Sequence, residues 1–246
     1  MRGDQYFFRG RGAASGVFQE EANDGTQNPQ STVTRIDCMS EYNLLHNLRD
    51  GRRRLVIESL SPEIDGGRFP IKRVLGDKVV VQADIFTDGH DALSAVLQFR
   101  HGREPDWHET PMEFLLNDRW RGEFPTDRLG EYVYRLAAWV DHFASWQKDL
   151  GKKAKAGQEI AVDLQSGALL VEEAASRASA ADAPHLKEWA GKLSDHTQLE
   201  ATRLPFALSQ ALAELMRSYS DRRFATFSDK ELRVTVDPLR ARFSAC

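Results

Sequence analysis

The densest set of side chains that could hold a charge or an ion is Asp84, Asp88, His90 and Asp91. Carboxylates and an imidazole this close in sequence suit a divalent metal. However, Asp88-Gly89-His90-Asp91 lies between two apolar runs, where Asp and Gly are ordinary turn formers, and a turn explains the cluster without an ion. The other histidines (His46, His101, His108, His142, His185 and His196) show no paired ligand spacing. Arg9-Gly10-Arg11-Gly12 lacks the preceding strand and following helix of a phosphate loop, and no Gly-x-Ser-x-Gly elbow is present. Glu172 and Glu173, as neighbours on a helix, point to different faces. They cannot flank a glycosidic bond as paired carboxylates must. The expectation is no catalytic residue, no cofactor and no metal.

The aromatic residues offer binding rather than catalysis. An exposed indole stacks on the apolar face of a sugar ring. The competing explanation is core packing, because burying a Trp removes so much apolar area from water. Trp139 alternates away from Tyr134 and Leu136, so it fills the second face of its strand or meets another element. Trp146 falls at the end of the same region, and Trp189 in a helical stretch. Trp107 and Trp120, near strand ends, are the candidate carbohydrate contacts.

These residues need a scaffold, and the periodicity supplies one. Val79, Val81, Ala83 and Ile85 alternate with Gln82 and Asp84; Ala95, Leu97 and Phe99 alternate with Ser94, Gln98 and Arg100; Tyr132, Tyr134, Leu136, Ala138 and Val140 form another face. Period two, punctuated by Asp65-Gly66-Gly67, Gly76-Asp77, Asp88-Gly89, Asn117-Asp118 and Leu129-Gly130, predicts antiparallel strands with one buried face. Past Trp146 the period lengthens. Ile160, Leu164, Gly167, Val171 and Ala175 share a helical face; so do Leu186, Trp189, Ala190 and Leu193 after a cap at Asp182. Leu204, Leu208, Ala211, Leu215 and Tyr219 form a third stripe, with Pro205 near a helix start. Strand character returns at Leu232, Val234 and Val236. The fold class expected is mixed β and α: an immunoglobulin-like antiparallel β-sandwich with an α-helical insertion before the last strand. Residues 53–146 plus 221–246 would form the sandwich and 147–220 the insertion, with 1–52 a disordered or non-native extension.

Composition bounds the partners. The 246 residues carry 33 basic and 37 acidic side chains, a formal net charge of -4. That is not the basic footprint of a nucleic-acid binder. No apolar run approaches the ~20 residues that span a bilayer. Cys38 and Cys246, near opposite ends, give no disulfide framework. We expect a cytoplasmic protein with neither nucleic-acid nor membrane partners.

The run Ser61-Pro62-Glu63-Ile64-Asp65-Gly66-Gly67-Arg68-Phe69-Pro70-Ile71-Lys72-Arg73 resembles the N-terminal region of bacterial maltose-1-phosphate maltosyltransferases. Val81 to Asp91, Asn117 to Gly122, Trp139 to Trp146, Asp221 to Thr226 and Arg240 to Ala245 are similar to it in the same order. The resemblance implies membership of the α-amylase superfamily and extension of α-1,4-glucans from maltose 1-phosphate. It also implies an N-terminal sandwich with a helical insert, a catalytic (β/α)8 barrel, and homodimers in which the front domains join the interface. A barrel needs ~250 residues, so the chain is expected to stop before it and to be inactive alone; no family catalytic residue has a matching position. Its partners would then be the missing barrel and a second subunit. An exposed exit near Leu239 and Phe243, with unpartnered helical stripes, would favour self-association. The alternative is a stand-alone α-glucan-binding module.

Overall fold

The computed structural model describes residues 55–243, with side chains to position 241. The expectations for residues 1–52, Cys38, Cys246 and the Phe243 side chain lie outside them.

Alternating sequence becomes two sheets around one core. One sheet has the order β1 (Leu55–Ser61), β3 (Lys78–Thr87), β7 (Arg119–Pro125), β6 (Glu113–Phe114), and is antiparallel throughout. The other runs β2 (Ile71–Val74), β10 (Leu232–Asp237), β8 (Gly130–Val140), β4 (Leu93–His101), β5 (His108–Pro111), with β9 (Thr226–Phe227) also pairing β8. Val79, Val81, Ala83, Ile85 and Phe124 from the first sheet meet Leu97, Tyr134, Leu136 and Val234 from the second. Such interdigitation of two inner faces is what period-two strands with one apolar side require. Leu232, Val234 and Val236 pair with Tyr134, Tyr132 and Gly130 of β8.

The sheets are not wholly antiparallel. β2 runs parallel to β10. No hairpin turn joins these two strands, which are far apart in sequence, so no turn geometry forces an antiparallel pair. β7 carries its own alternation, Trp120, Gly122 and Phe124 inward. Gly122 fits closely there: a Cβ would lie 3.1 Å from Met112 Cγ and 3.2 Å from Leu97 Cβ.

The Ser61–Arg73 run crosses between the sheets, and its unusual composition has a structural cause. Gly67 has φ +85°, and a Cβ there would lie 2.4 Å from Leu232 Cδ2. Lys230 Nζ donates to the Gly66 carbonyl at 2.6 Å and Arg233 Nη2 to that of Arg68 at 3.1 Å. Tyr134, fully buried in the core, donates its hydroxyl to the Pro62 carbonyl at 2.5 Å.

Five helices follow β8: α1 (His142–Lys155), α2 (Ala161–Arg177), α3 (Ala183–Ser194), α4 (Glu200–Ala207) and α5 (Gln210–Ser218). The helical region thus opens ahead of residue 147, and Trp146 belongs to α1. Asp141 is the switch point. Its side chain accepts from Ala144 N–H at 2.9 Å, capping α1, and from Ser94 Oγ at 2.8 Å, tying that cap to β4. The helices bury a second core of Leu150, Leu164, Val171, Leu186, Leu193 and Leu212.

The third expected stripe is divided. Pro205 sits inside α4, not at a helix start. Lacking an N–H, it cannot bond the Ala201 carbonyl one turn earlier, and the chain restarts at Ser209, whose Oγ accepts from Leu212 N–H. Leu208 falls in the break and is exposed. Asp182 occupies the position before α3 without capping it; its carboxylate accepts from the Tyr219 hydroxyl instead. No helix among the described residues is long and apolar enough to cross a membrane.

Candidate functional site

The outer face of the β2–β10–β8–β4–β5 sheet gathers the cations and aromatic rings. β4 and β8 lie in register with Gln98 opposite Arg135 and Arg100 opposite Val133. Strand alternation therefore turns Val96, Gln98 and Arg100 outward beside Arg135, Ala137 and Trp139.

Trp107 descends onto this face from the β4–β5 connection. The guanidinium carbons of Arg100 and Arg135 each lie 4.3 Å from its ring centroid. Glu231 bridges the two cations, 3.6 Å from Arg100 and 3.4 Å from Arg135. Burial depresses the pKa of Arg135; Glu231 opposes that and the charge of Arg100 adds to it. Arg135 also stacks on Phe227 at 4.8 Å, and its Nε donates to Gln98 Oε1 at 2.8 Å.

Trp139 forms a second stack. It is buried among Val96, Ala137 and Ala225, with the Arg222 guanidinium 4.2 Å above its ring. Arg222 Nη1 donates to both oxygens of Glu109, at 3.0 and 2.8 Å, and Gln98 donates to the same carboxylate. Burial would raise the pKa of Glu109, but the hydrogen bonds from Arg222 and Gln98 outweigh it and hold the group ionised. Ionised Glu109 supplies no proton near neutral pH. These contacts position the segment that returns from the helices.

An open groove of about 580 Å³ runs beside this stack, walled by Val96, Pro111, Met112 and Trp139 and rimmed by Glu109 and Arg217. Trp120 reaches its wall but is 8% exposed. The Trp120 ring packs edge-on against Phe114, and its N–H is donated to the Ile85 carbonyl at 3.2 Å. Trp120 therefore has no free face for a sugar to stack on, because its strand turns it into the core. Trp107 is half-buried with cations against its ring, and the two candidates do not share a platform. Asp84 pairs with Arg119 at 2.9 Å. Among the described residues no three His, Cys, Asp or Glu side chains are grouped to hold a metal.

The residues that build this face went unassigned by sequence pattern, though the alternation of Gln98 and Arg100 against Leu97 and Phe99 marks their outward direction. What sequence lacks is the pairing that brings Arg135, Arg222, Glu109 and Glu231 to the same rings.

Residues 53–238 match the family described as α-1,4-glucan:maltose-1-phosphate maltosyltransferase, domain N/S. Curated relatives with that enzyme name include proteins of Chlorobaculum tepidum (45% identical over 195 residues, 79% of this chain) and Myxococcus xanthus (43% over 197 residues, 77%). Another, from Methylacidiphilum infernorum, is 38% identical over 198 residues, 80% of this chain. The chain spans about 29% of the length of each. The sandwich with its helices belongs to the family of the α-1,4-glucan:maltose-1-phosphate maltosyltransferase domain N/S.

Proposed function

We propose that the chain is the non-catalytic front part of a cytoplasmic maltosyltransferase that moves maltosyl units from maltose 1-phosphate onto α-1,4-glucan. In this reading the two sheets, from 55–140 plus 226–237, are an immunoglobulin-like sandwich, with the helices of 142–218 as an insertion. They support the catalytic barrel, and the helices help join two subunits. The observation that carries the reading is the family match over residues 53–238, in a chain spanning about 29% of its relatives. The outer sheet face agrees with it, because its charged groups are paired with one another and hold segments in place. The test is maltosyl transfer. The purified chain should give no turnover with maltose 1-phosphate and an α-glucan acceptor, whereas a chimera carrying residues 55–243 in place of the matched segment of the Chlorobaculum tepidum relative should. Turnover by the chain alone, or a folded but inactive chimera, would count against it.

A second reading, an α-glucan-binding module, draws on Trp107, which keeps part of its surface at the outer face. Calorimetry with a linear malto-oligosaccharide separates the two: binding lost on Trp107→Ala favours the module, and no heat of binding removes it.

A further inference from the structure

We infer that the apolar tip of the β6–β7 hairpin is a docking surface for a segment of this same chain, the leucine-bearing run at 44–48 that precedes β1. Phe114, Leu115 and Leu116 are 53%, 43% and 70% exposed. Single exposed leucines are commonplace; three large apolar residues in succession on one hairpin are not. The turn itself does not ask for them. Asn117 and Asp118 have φ of +50° and +60°, and Arg119 N–H donates to the Leu116 carbonyl at 3.1 Å across them. A tight hairpin needs two such left-handed residues, and Asn and Asp meet that need. Leu115 N–H donates to the Arg119 carbonyl at 2.8 Å, so the leucines stand on a fixed turn. Side chains held in this way dock without the cost of ordering a loop. β6 is also the edge of its sheet, and an apolar edge invites association unless something covers it.

The hairpin stands at the end of the sheet where the chain enters β1. Leu55, the first residue of β1, pairs with Thr87 of β3. Two residues before Thr87, Ile85 N–H donates to the Asp118 carbonyl at 2.9 Å. β3 lies between β1 and β7. With strands about 4.8 Å apart and about 3.3 Å per residue along them, the entry to β1 and the turn are about 12 Å apart. The seven residues from Leu48 to Leu55 reach about 23 Å when extended. Leu44, Leu45 and Leu48 therefore reach the hairpin with chain to spare, and the tether holds them at high effective concentration. Charge agrees with the match. Arg49, Arg52, Arg53 and Arg54 lie between these leucines and β1, whereas the hairpin carries Glu113 and Asp118, both exposed. The hairpin's own cation, Arg119, is engaged by Asp84 at 2.9 Å. Opposite charges on tether and hairpin favour this pairing over others.

Hydrogen exchange on the full chain tests the contact from both sides. Combined Leu44→Asp, Leu45→Asp and Leu48→Asp should speed exchange at residues 114–119 by about tenfold or more. The turn at 75–77, beside the opposite end of β3 where Lys78 pairs with Pro125, should be unchanged. Combined Leu115→Asp and Leu116→Asp should speed exchange at residues 44–48 by a similar factor. Leu115 and Leu116 belong to neither core, so this second variant keeps the fold should the first one fail. Trypsin should also cut after Arg52, Arg53 and Arg54 about tenfold faster in the hairpin variant than in wild type. Exchange and cleavage unaltered by the substitutions overturn the inference. So does hairpin protection that rises with protein concentration over a hundredfold range and survives the triple substitution, since a second copy would then be the occupant.

Discussion

The indole of Trp146 occupies the place where a side chain at position 167 would stand: a Cβ on Gly167 would lie 2.0 Å from Trp146 Cζ2. Trp146 Nε1 donates to the Asp163 carbonyl at 2.7 Å, one turn earlier on α2. The glycine therefore lets α1 and α2 approach each other through a flat ring.

Gly167→Ala sets two effects against each other. In a helix interior alanine is favoured over glycine by about 0.8–1 kcal/mol. Displacing the indole and its hydrogen bond is an overpacking event that costs about 1–3 kcal/mol. The expected outcome is net destabilisation in urea unfolding. The same substitution made in a Trp146→Ala background should stabilise, since the obstruction is gone. Failure of the sign to reverse would mean that the ring is not the constraint.

Gly167 also marks where sequence reading stops. The stripe Ile160, Leu164, Gly167, Val171 and Ala175 is legible as a helical face, and all five are buried. That position 167 is glycine because Trp146 lies on it is a tertiary fact which periodicity does not encode. Strand faces at Val79–Ile85 and Tyr132–Ala138 are legible for the same local reason, as is the turn at Asp65-Gly66-Gly67. The parallel β2–β10 pair is not, because it joins segments with no turn between them. Nor is the break at Pro205, where a proline tolerated inside α4 divides a stripe that looks continuous. Of the two candidate tryptophans, which sequence position does not tell apart, Trp107 lies against the outer sheet face and Trp120 lies inward on the buried side of β7.

Tyr134→Phe should reveal an alkaline limb of stability. Burial pushes the Tyr134 phenol well above its usual pKa. In the unfolded chain the group ionises near pH ~10, so its contribution is complete below that pH and is lost as pH rises toward the higher folded value. The variant should lose part of this alkaline slope; Tyr132, whose pKa is also raised by burial, retains the rest. At neutral pH it should cost about 1–3 kcal/mol, because the Pro62 carbonyl loses its donor. Unfolding curves at pH ~8 and ~11 make the comparison, and identical slopes would refute it.

The acid limb should depend on Asp221. Hydrogen bonds from Arg223, to both carboxylate oxygens, hold the Asp221 pKa down at about 2 against a burial effect that would raise it. A depressed carboxylate contributes stability above its unfolded pKa of ~3.9 and loses it as pH falls through the folded value. Asp221→Asn should therefore flatten the pH dependence of unfolding between pH about 4 and 2 relative to wild type. Chemical unfolding across that window is the measurement, and parallel curves for the two proteins would exclude the role.

Arg222 offers the sharpest test of the outer sheet face, because its two contacts ask for different chemistry. Its guanidinium carbon lies 4.2 Å from the centroid of the Trp139 ring, and its Nη1 serves both oxygens of Glu109. Lysine keeps the charge but has neither the planar stack nor the guanidinium's fixed set of donors. Methionine keeps apolar contact with the ring but leaves Glu109 with Gln98 as its remaining donor. Arg222→Met removes the cation that both contacts use, whereas Arg222→Lys keeps a cation for the ring or for Glu109. The ring contact is the larger of the two: cation–π contacts reach about 2 kcal/mol when desolvated, whereas partly exposed ion pairs contribute about 0–1 kcal/mol. We expect Arg222→Met to cost about 1–3 kcal/mol and Arg222→Lys less. The loss should concentrate where Arg222 holds the chain, as faster hydrogen exchange in β9 and Ala225 while the inner core at Val81 and Leu136 stays protected. A larger loss in the lysine variant, or uniform loosening of both regions, would show that a cation over Trp139 is not what holds this segment.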